Sequence, residues 1–215
     1  MPDLDFNYML KLLPGIIFGL SVHEFAHASM AYKLGDDTAK EMGRFTLNPL
    51  KHIDIIGFIF LIIAGFGWAK PVIINKEKLK NPISGDILIS LAGPVSNFLL
   101  SIFIVILLKV LLMIYPFNGN EIYEWILNML IAAVYVNIGL FIFNLIPIPP
   151  LDGSHVLLNM ITLKKEIDVE KFYRYGTSLF FGLIILGSYL KIDLFPIGKA
   201  SSFIAGLMFN LVGIY

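Results

Sequence analysis

The sequence contains no cysteine and few charged residues. Without cysteine the chain has neither disulfide bonds nor thiolate ligands, so a metal site has to use His and carboxylate side chains. Only 15% of the 215 residues are charged and 57% are hydrophobic, whereas soluble domains have about 25% and about 45–50%. The formal net charge is zero, so no overall electrostatic field favours nucleic acid as a partner. This composition predicts an integral membrane protein with several spans.

The apolar runs divide into long and short ones. About 20 apolar residues cross the roughly 30 Å of bilayer hydrocarbon as a helix, and three runs reach that length: residues 8–32, 84–115 and 122–146. The shorter helical segments are 154–163, 176–190 and 200–215. The N-terminus is acidic and no cleavage site follows the first run, so we expect that run to belong to the mature protein rather than to a signal peptide. The sequence predicts an all-α polytopic membrane protein with about six transmembrane helices.

The apolar run at residues 55–66 is too short to cross a membrane as a helix. It is rich in Ile and is interrupted or followed by glycine at positions 57, 65 and 67, a pattern typical of a strand or of a re-entrant segment. Non-helical character continues through residues 68–75. We therefore expect a strand or a re-entrant segment after the first helix.

The first apolar run contains the pattern H-E-x-x-H at His23, Glu24 and His27. On a helix, positions four apart lie roughly 40° apart around the axis and about 6 Å apart along it, so both imidazoles can reach one ion. Glu24 lies about 100° from His23, a position suited to a general base acting on water activated by the ion. The pattern arises by chance in roughly 2% of chains this long, and a single His on an apolar face is usually a hydrogen-bonded core residue. However, ionisable side chains are costly in a membrane span, and three within five residues favour a metal site.

A third protein ligand is expected from another part of the chain, since catalytic zinc usually has three. Prolines end the helix before Asp152, and irregular backbone at membrane depth survives only against protein or a wet cavity. Asp152 is therefore the favoured ligand. His155, one turn later, is the main competitor, whereas His52 and Asp54 lie in a polar loop where exposure to solvent is the default.

Small and polar residues recur on single faces of the other two long helices. Gly93 and Asn97 are four residues apart, and Asn137 and Asn144 are seven apart. For Gly93 and Asn97, one interpretation is helix packing, in which a small residue allows close approach and an amide bonds between helices. The other is a polar contact that reaches the active site.

The distribution of Lys and Arg predicts the topology. Residues 33–80 carry eight of them and residues 164–174 carry four, whereas the loop at 116–121 carries none. Basic loops lie on the cytoplasmic side. This rule places the N-terminus outside and opens the site towards the cytoplasm, provided that residues 55–66 do not cross the membrane.

Three stretches together resemble the site-2 protease family of intramembrane zinc metalloproteases, peptidase family M50. They are H-E-F-A-H at 23–27, A-G-P-V-S-N at 92–97 and F-N-L-I-P-I-P-P-L-D-G at 143–153. The stretches G-R-F-T-L-N-P-L-K-H-I-D at 43–54 and W-A-K-P-V at 68–72 are similar to its small prokaryotic members, and no segment is long or polar enough for a PDZ or CBS domain.

The resemblance implies a role for each of these motifs. It also implies that residues 55–75 form a small membrane-dipping β-hairpin or sheet after the first helix. His23, His27 and Asp152 would bind one zinc ion per chain, with Glu24 as general base. Asn144 would hold substrate or stabilise the oxyanion. The remaining polar and small positions belong to the three-helix catalytic core or to substrate binding: Gly93, Asn97 and Asn137.

The function expected is hydrolysis of peptide bonds within or near transmembrane segments of single-span membrane proteins, such as membrane-anchored regulators or signal-peptide remnants. We expect one domain over residues 1–215, with the catalytic core at about 8–163 and C-terminal helices at about 172–215. A homo-oligomer is left open, and nucleic acid is not expected as a partner. The alternatives are an intramembrane metal-binding transporter or sensor and an inactive relative that serves as a scaffold.

Overall fold

A computed structural model of the protein describes residues 6–64, 67–116, 119–163 and 165–214. The described residues are predominantly helical. Their helices are α1 (Phe6–Lys33), α2 (Thr38–Glu41), α3 (Ile55–Ala64), α4 (Pro82–Ile114), α5 (Glu121–Asn144), α6 (Asp152–Thr162), α7 (Val169–Leu190) and α8 (Ile197–Val212).

Three of these helices, α1, α4 and α5, are long and apolar enough to cross a membrane. They coincide with the three long apolar runs of the sequence, so the prediction of a helical membrane protein is confirmed. The count of six spans is not established, because α6 has 11 residues and α8 has 16. At 1.5 Å per residue these helices are only about 17 Å and about 24 Å long.

Helices α1, α4 and α5 pack against one another, and α8 covers the outer face of α4 and α5. The apolar core lies where α4, α5 and α8 meet, and includes Leu108, Val134, Ile138 and Phe209. Helix α1 approaches α5 closely at Gly15, where an added Cβ would lie 2.8 Å from the Cα of Ala133. A small residue at this position lets two helix backbones come into contact, which brings α1 against the other two long helices.

The prediction of a strand at residues 55–66 is wrong for the part that the structure describes. Residues Ile55–Ala64 form α3, and the described residues contain no strand, only an isolated antiparallel bridge between Ile53 and Ala69. A short helix satisfies its backbone hydrogen bonds internally, which matters for so apolar a run. Asp54 starts the helix by accepting a hydrogen bond from the Gly57 N–H at 2.8 Å. Ten residues give about 15 Å of helix, so α3 is too short to cross the bilayer, as the sequence predicts.

The segment between α3 and α4 is extended or irregular at residues 67–75, in agreement with the non-helical character expected there. It is fixed to the polar loop after α1. The buried Asp36 accepts hydrogen bonds from the backbone N–H groups of Thr38 and Asn75 at 3.0 and 2.7 Å. At the surface, Lys78 bonds to Asp37 at 2.5 Å, and this hydrogen bond lowers the pKa of the Asp37 carboxyl. These contacts hold the segment against the loop at the C-terminal end of α1.

Candidate metal centre

Two imidazoles from α1 and a carboxylate at the start of α6 converge on one point. The Nε2 atoms of His23 and His27 are 3.0 Å apart, and Asp152 Oδ2 lies 3.1 Å from the first and 3.4 Å from the second. Both His side chains are buried and Asp152 is partly buried. Ligand atoms about 2.0–2.2 Å from a tetrahedral zinc ion are about 3.3 Å apart. The three donor atoms therefore have the separation that zinc requires.

The hydrogen bonds of the two rings fix which nitrogen faces this point. His27 Nδ1 lies 2.7 Å from the Ile89 carbonyl oxygen, which can only accept, so Nδ1 carries the proton. His23 Nδ1 lies 2.8 Å from Asn97 Oδ1 and is likewise the donor. Each neutral ring then directs the lone pair of Nε2 at the shared point. Asp152 Oδ2 is buried there with no hydrogen-bond donor among the described residues. Three acceptors that face one another this closely fit a cation.

The orientation of Asn97 follows from two fixed carbonyls. Asn97 Nδ2 donates to the Gly19 carbonyl and to Asn137 Oδ1, both at 2.9 Å. Asn137 Nδ2 in turn donates to the Ala133 carbonyl at 2.8 Å. Because the carbonyls only accept, both amides are oriented, and Asn97 must present its oxygen to His23. Both Asn side chains are fully buried, so they lie behind the ligands rather than in the path of a substrate.

Gly93 provides the space in which the two rings meet. A Cβ at this position would lie 2.6 Å from His23 Cε1 and closer still to His27 Nε2. Real Cβ atoms do not approach that closely, so only glycine lets α4 pass directly behind the donor atoms. The sequence left two interpretations open for Gly93 and Asn97: helix packing and contact with the site. In the structure both apply.

Glu24 is buried beside the donor atoms and is not one of them. Its Oε2 accepts a hydrogen bond from the Val72 backbone N–H at 2.8 Å. A cavity of about 290 Å³ opens here, and its walls include Glu24, His27 and Asp152. The carboxylate therefore faces the space that a substrate and water would enter.

The competing ligands of the sequence lie elsewhere. His155 lines the same cavity, but its Nδ1 faces Asp86 Oδ2 at 3.4 Å. His52 is buried, with Nε2 donating to the Thr46 carbonyl at 2.7 Å and Nδ1 without a partner in the described part of the chain. Asp54 starts α3. Among the four candidates, only Asp152 joins the two imidazoles.

Asn144 is not in contact with this cluster in the structure. It lies at the end of α5, and its Nδ2 donates to the Leu140 carbonyl one turn earlier at 3.0 Å. This bond uses one of the two Nδ2 hydrogens, so the second hydrogen can still be donated to a substrate.

Asp86 and its partner Asn159 support the site and were not singled out in the sequence. Asp86, buried in α4, accepts a hydrogen bond from Asn159 of α6 at 2.6 Å and pairs with Lys76 at 2.7 Å. These bonds fix α6, and hence Asp152 at its start, to α4 and to the segment that covers Glu24. An ionisable residue inside a long apolar run is a signal that points to Asp86.

Fold and site together define a helical membrane protein with a buried centre suited to one metal ion. Comparison with known proteins agrees. A profile of peptidase family M50 matches residues 109–187, which include Asp152. YwhC of Bacillus subtilis is 39% identical over 206 residues, which cover 93% of this chain and 94% of YwhC. The chain therefore belongs to peptidase family M50 and is a metallopeptidase.

Two further relatives extend the comparison. MJ0611 of Methanocaldococcus jannaschii is 33% identical over 158 residues, 73% of each chain. Rip2 of Mycolicibacterium smegmatis is 29% identical over 153 residues, 69% of this chain and 56% of Rip2. All three relatives carry the name "putative zinc metalloprotease". No solved structure shows a significant match to the chain.

Proposed function

We propose that this metallopeptidase is a zinc-dependent endopeptidase that cleaves membrane proteins within or near their transmembrane segments. The observation that carries the proposal is the convergence of three acceptor atoms, His23 Nε2, His27 Nε2 and Asp152 Oδ2, on one buried point beside a carboxylate. His and carboxylate are ligands typical of catalytic zinc, which leaves a further position for water or substrate. Zinc, when bound there, supplies a Lewis acid that polarises a peptide carbonyl and makes water acidic enough to lose a proton near neutral pH.

Glu24 is the general base in this proposal. Its carboxylate borders the cavity and holds one hydrogen bond, from the Val72 N–H, which leaves its second oxygen available for a proton. It takes a proton from the attacking water and delivers it to the leaving amine. The Asn144 amide donates its second Nδ2 hydrogen, the one not bonded to the Leu140 carbonyl, to the substrate carbonyl oxygen and opposes the charge that develops there.

The substrate class follows from the location of the site. Glu24 lies well inside α1, a helix able to span the membrane. A peptide bond within a helix is shielded by its own hydrogen bonds, so a substrate span must unwind locally before it is cleaved. With the N-terminus outside, the centre opens towards the cytoplasm, and α6, α7 and α8 complete the membrane domain. Single-span membrane proteins are the substrates that such a site accommodates.

The test compares Glu24→Gln with Asp152→Ala in proteoliposomes that contain single-span model substrates. Glu24→Gln removes the base but none of the three donors, so zinc should stay near one per chain while cleavage falls by about 10² to 10⁴. Asp152→Ala should lose both zinc and cleavage. The exposed Glu170→Gln is a control for the loss of an acidic charge. Elemental analysis and gel-based cleavage give the two readouts.

Two results would contradict the proposal. Cleavage by Glu24→Gln at the rate of the unmodified protein would exclude Glu24 as the base. Zinc flux across the vesicle membrane that Glu24→Gln leaves intact, with no cleavage by either protein, would favour a metal transporter.

A further inference from the structure

A second cavity, of about 310 Å³, lies between α1, α3 and α5, on the side of α1 that leads away from the cytoplasm-directed end. Its walls are mostly aliphatic and aromatic side chains, including Ile16, Leu20, Phe58, Leu140 and Phe143. Its size is at the lower end of the range of ligand pockets, about 300–1,000 Å³. The cavity is not part of the metal centre described above, and the proposed mechanism does not use it.

Most of the polar side chains in these walls bond to other groups of the chain. Ser21 Oγ donates to the Ile17 carbonyl at 2.7 Å, and Asp54 Oδ1 accepts from Gly57. His52 directs Nε2 at the Thr46 carbonyl, and its Nδ1 is buried away from the cavity surface. The surface offered to an occupant is therefore apolar, and it suits a hydrocarbon group without charge.

The cavity adjoins the proposed reaction centre on three sides. On α1, Leu20 and Ser21 precede Glu24 by about one turn, on neighbouring positions of the helix surface. On α5, Phe143 directly precedes Asn144. The third connection is the extended segment: Trp68 and Ala69 line this cavity, and Pro71 and Val72 line the cavity that contains Glu24. A peptide that lies along this segment at the reaction centre would pass both cavities.

We propose that this cavity is a specificity subsite that receives a large apolar side chain of the substrate. The proposal rests on the proposed function, since it assumes that a peptide is cleaved beside Glu24. Wall residues Ile16 to Leu20 lie four to eight positions before Glu24, about 6–12 Å along the helix axis. An extended chain advances about 3.3 Å per residue. The recognised side chain is therefore two to four residues from the bond that is cleaved, and it is Leu- or Phe-like rather than Ala-like.

The occupant is a substrate side chain rather than a lipid chain because the cavity neighbours the reaction centre along two elements. On α1 the walls pass from Leu20 and Ser21 to Glu24, and on the extended segment they pass from Trp68 and Ala69 to Pro71 and Val72. A lipid chain gains nothing from the polar groups around Glu24. An unwound substrate span, in contrast, brings apolar side chains to this place that have to be buried.

Gly139 of α5 offers a way to fill the cavity without disturbing the fold. It is a wall residue, and the nearest described atom to an added Cβ is Ile197 Cγ2 at 3.8 Å, an ordinary van der Waals contact. Gly139→Leu therefore occupies the space intended for the substrate. The matched control is Gly182→Leu on α7, where an added Cβ meets nothing within 4 Å and which lines neither cavity.

The experiment uses the full chain in proteoliposomes. Single-span substrates with a mapped cleavage site carry Ala, Leu or Phe, one position at a time, at residues two to four on either side of the cleaved bond. The unmodified protein should prefer Leu or Phe over Ala at one of these positions. Gly139→Leu should reduce that preference, as the ratio of kcat/KM values, at least about tenfold, the scale on which an apolar pocket senses a methylene group. Gly182→Leu should keep the preference, and zinc content should be equal in all three proteins.

Each contrary result has a distinct meaning. No positional preference in the unmodified protein, or an equal loss by Gly139→Leu on every substrate, overturns the subsite; the second result would favour a lipid occupant. Should Gly139→Leu fail to fold, Ile197→Ala enlarges the same cavity and must shift the preference from Leu towards Phe, and no shift overturns the proposal. Absence of all cleavage by the unmodified, zinc-loaded protein would instead refute the proposed function.

Discussion

The hydrogen bond from His23 Nδ1 to Asn97 Oδ1 predicts how zinc affinity depends on residues that touch no zinc. In Asn97→Ala, His23 keeps its place on α1 but loses the acceptor that sets its tautomer and ring orientation. Loss of such a partner typically weakens metal binding by 10- to 100-fold, or about 1.4–2.8 kcal/mol. We expect Asn97→Ala to fall in this range.

The structure also predicts a smaller effect on zinc affinity for a change of Asn137, whose side chain bonds to Asn97. Asn137→Leu removes one of the two acceptors of Asn97 Nδ2 and leaves the Gly19 carbonyl as the other. Asn97 then still presents its oxygen to His23, so zinc affinity should fall by less than about tenfold. The buried Asn97 N–H that loses its acceptor should lower the stability of the protein by about 1–3 kcal/mol.

Competition with a fluorescent chelator in detergent micelles measures the affinity, and thermal unfolding with and without excess chelator measures stability. A purely structural role would lower the stability of both forms equally and leave the zinc affinity unchanged. Zinc binding by Asn97→Ala as tight as in the unmodified protein would refute the reasoning. If Asn137→Leu weakened zinc binding as much as Asn97→Ala does, the idea that Asn137 acts on His23 only through Asn97 would be refuted.

Two further predictions concern α4. Gly93→Ala places a methyl group against both imidazoles, so the folded variant should contain almost no zinc by elemental analysis, whereas Gly206→Ala on α8, where an added Cβ meets nothing within 4 Å, should keep it. Asp86→Asn weakens the hydrogen bond between α4 and Asn159 of α6. Since Lys76 is half-exposed and is hydrated when it loses its partner, the expected loss of stability is about 1–2 kcal/mol. Thermal unfolding checks it, and an unchanged Tm would show that Asn159 does not depend on the carboxylate.

The metal-ligand geometry was accessible from the sequence because local rules determine most of it. The spacing of His23 and His27 fixes their separation on any helix. The proline-rich break marks Asp152 as a residue held at a cavity. The structure then brings these three atoms together without further adjustment.

The features that could not be predicted from the sequence are those set by tertiary contacts, or those for which the hydrophobic periodicity fits both helix and strand. A run of ten apolar residues has no polar face, so its period cannot separate strand from helix, and α3 was misassigned for that reason. The bond from the Val72 N–H to Glu24 and the bonds that orient the Asn97 amide join residues 40 or more positions apart. The role of Asn144 stays a prediction: one hydrogen of its amide bonds to the Leu140 carbonyl of its own helix.

Helix α4 supplies none of the three donor atoms, yet it positions all of them. Asp86, Ile89, Gly93 and Asn97 follow one another at intervals of three, four and four residues, which places them on one face of the helix. In that order they hold α6, accept the hydrogen bond from His27 Nδ1–H, make room for both rings and orient His23. A rotation of α4 about its axis would therefore disturb the contacts of all three donors at once. The order of the metal centre therefore depends on the packing of α4 against α1. Gly93, the small residue at that contact, is part of the site.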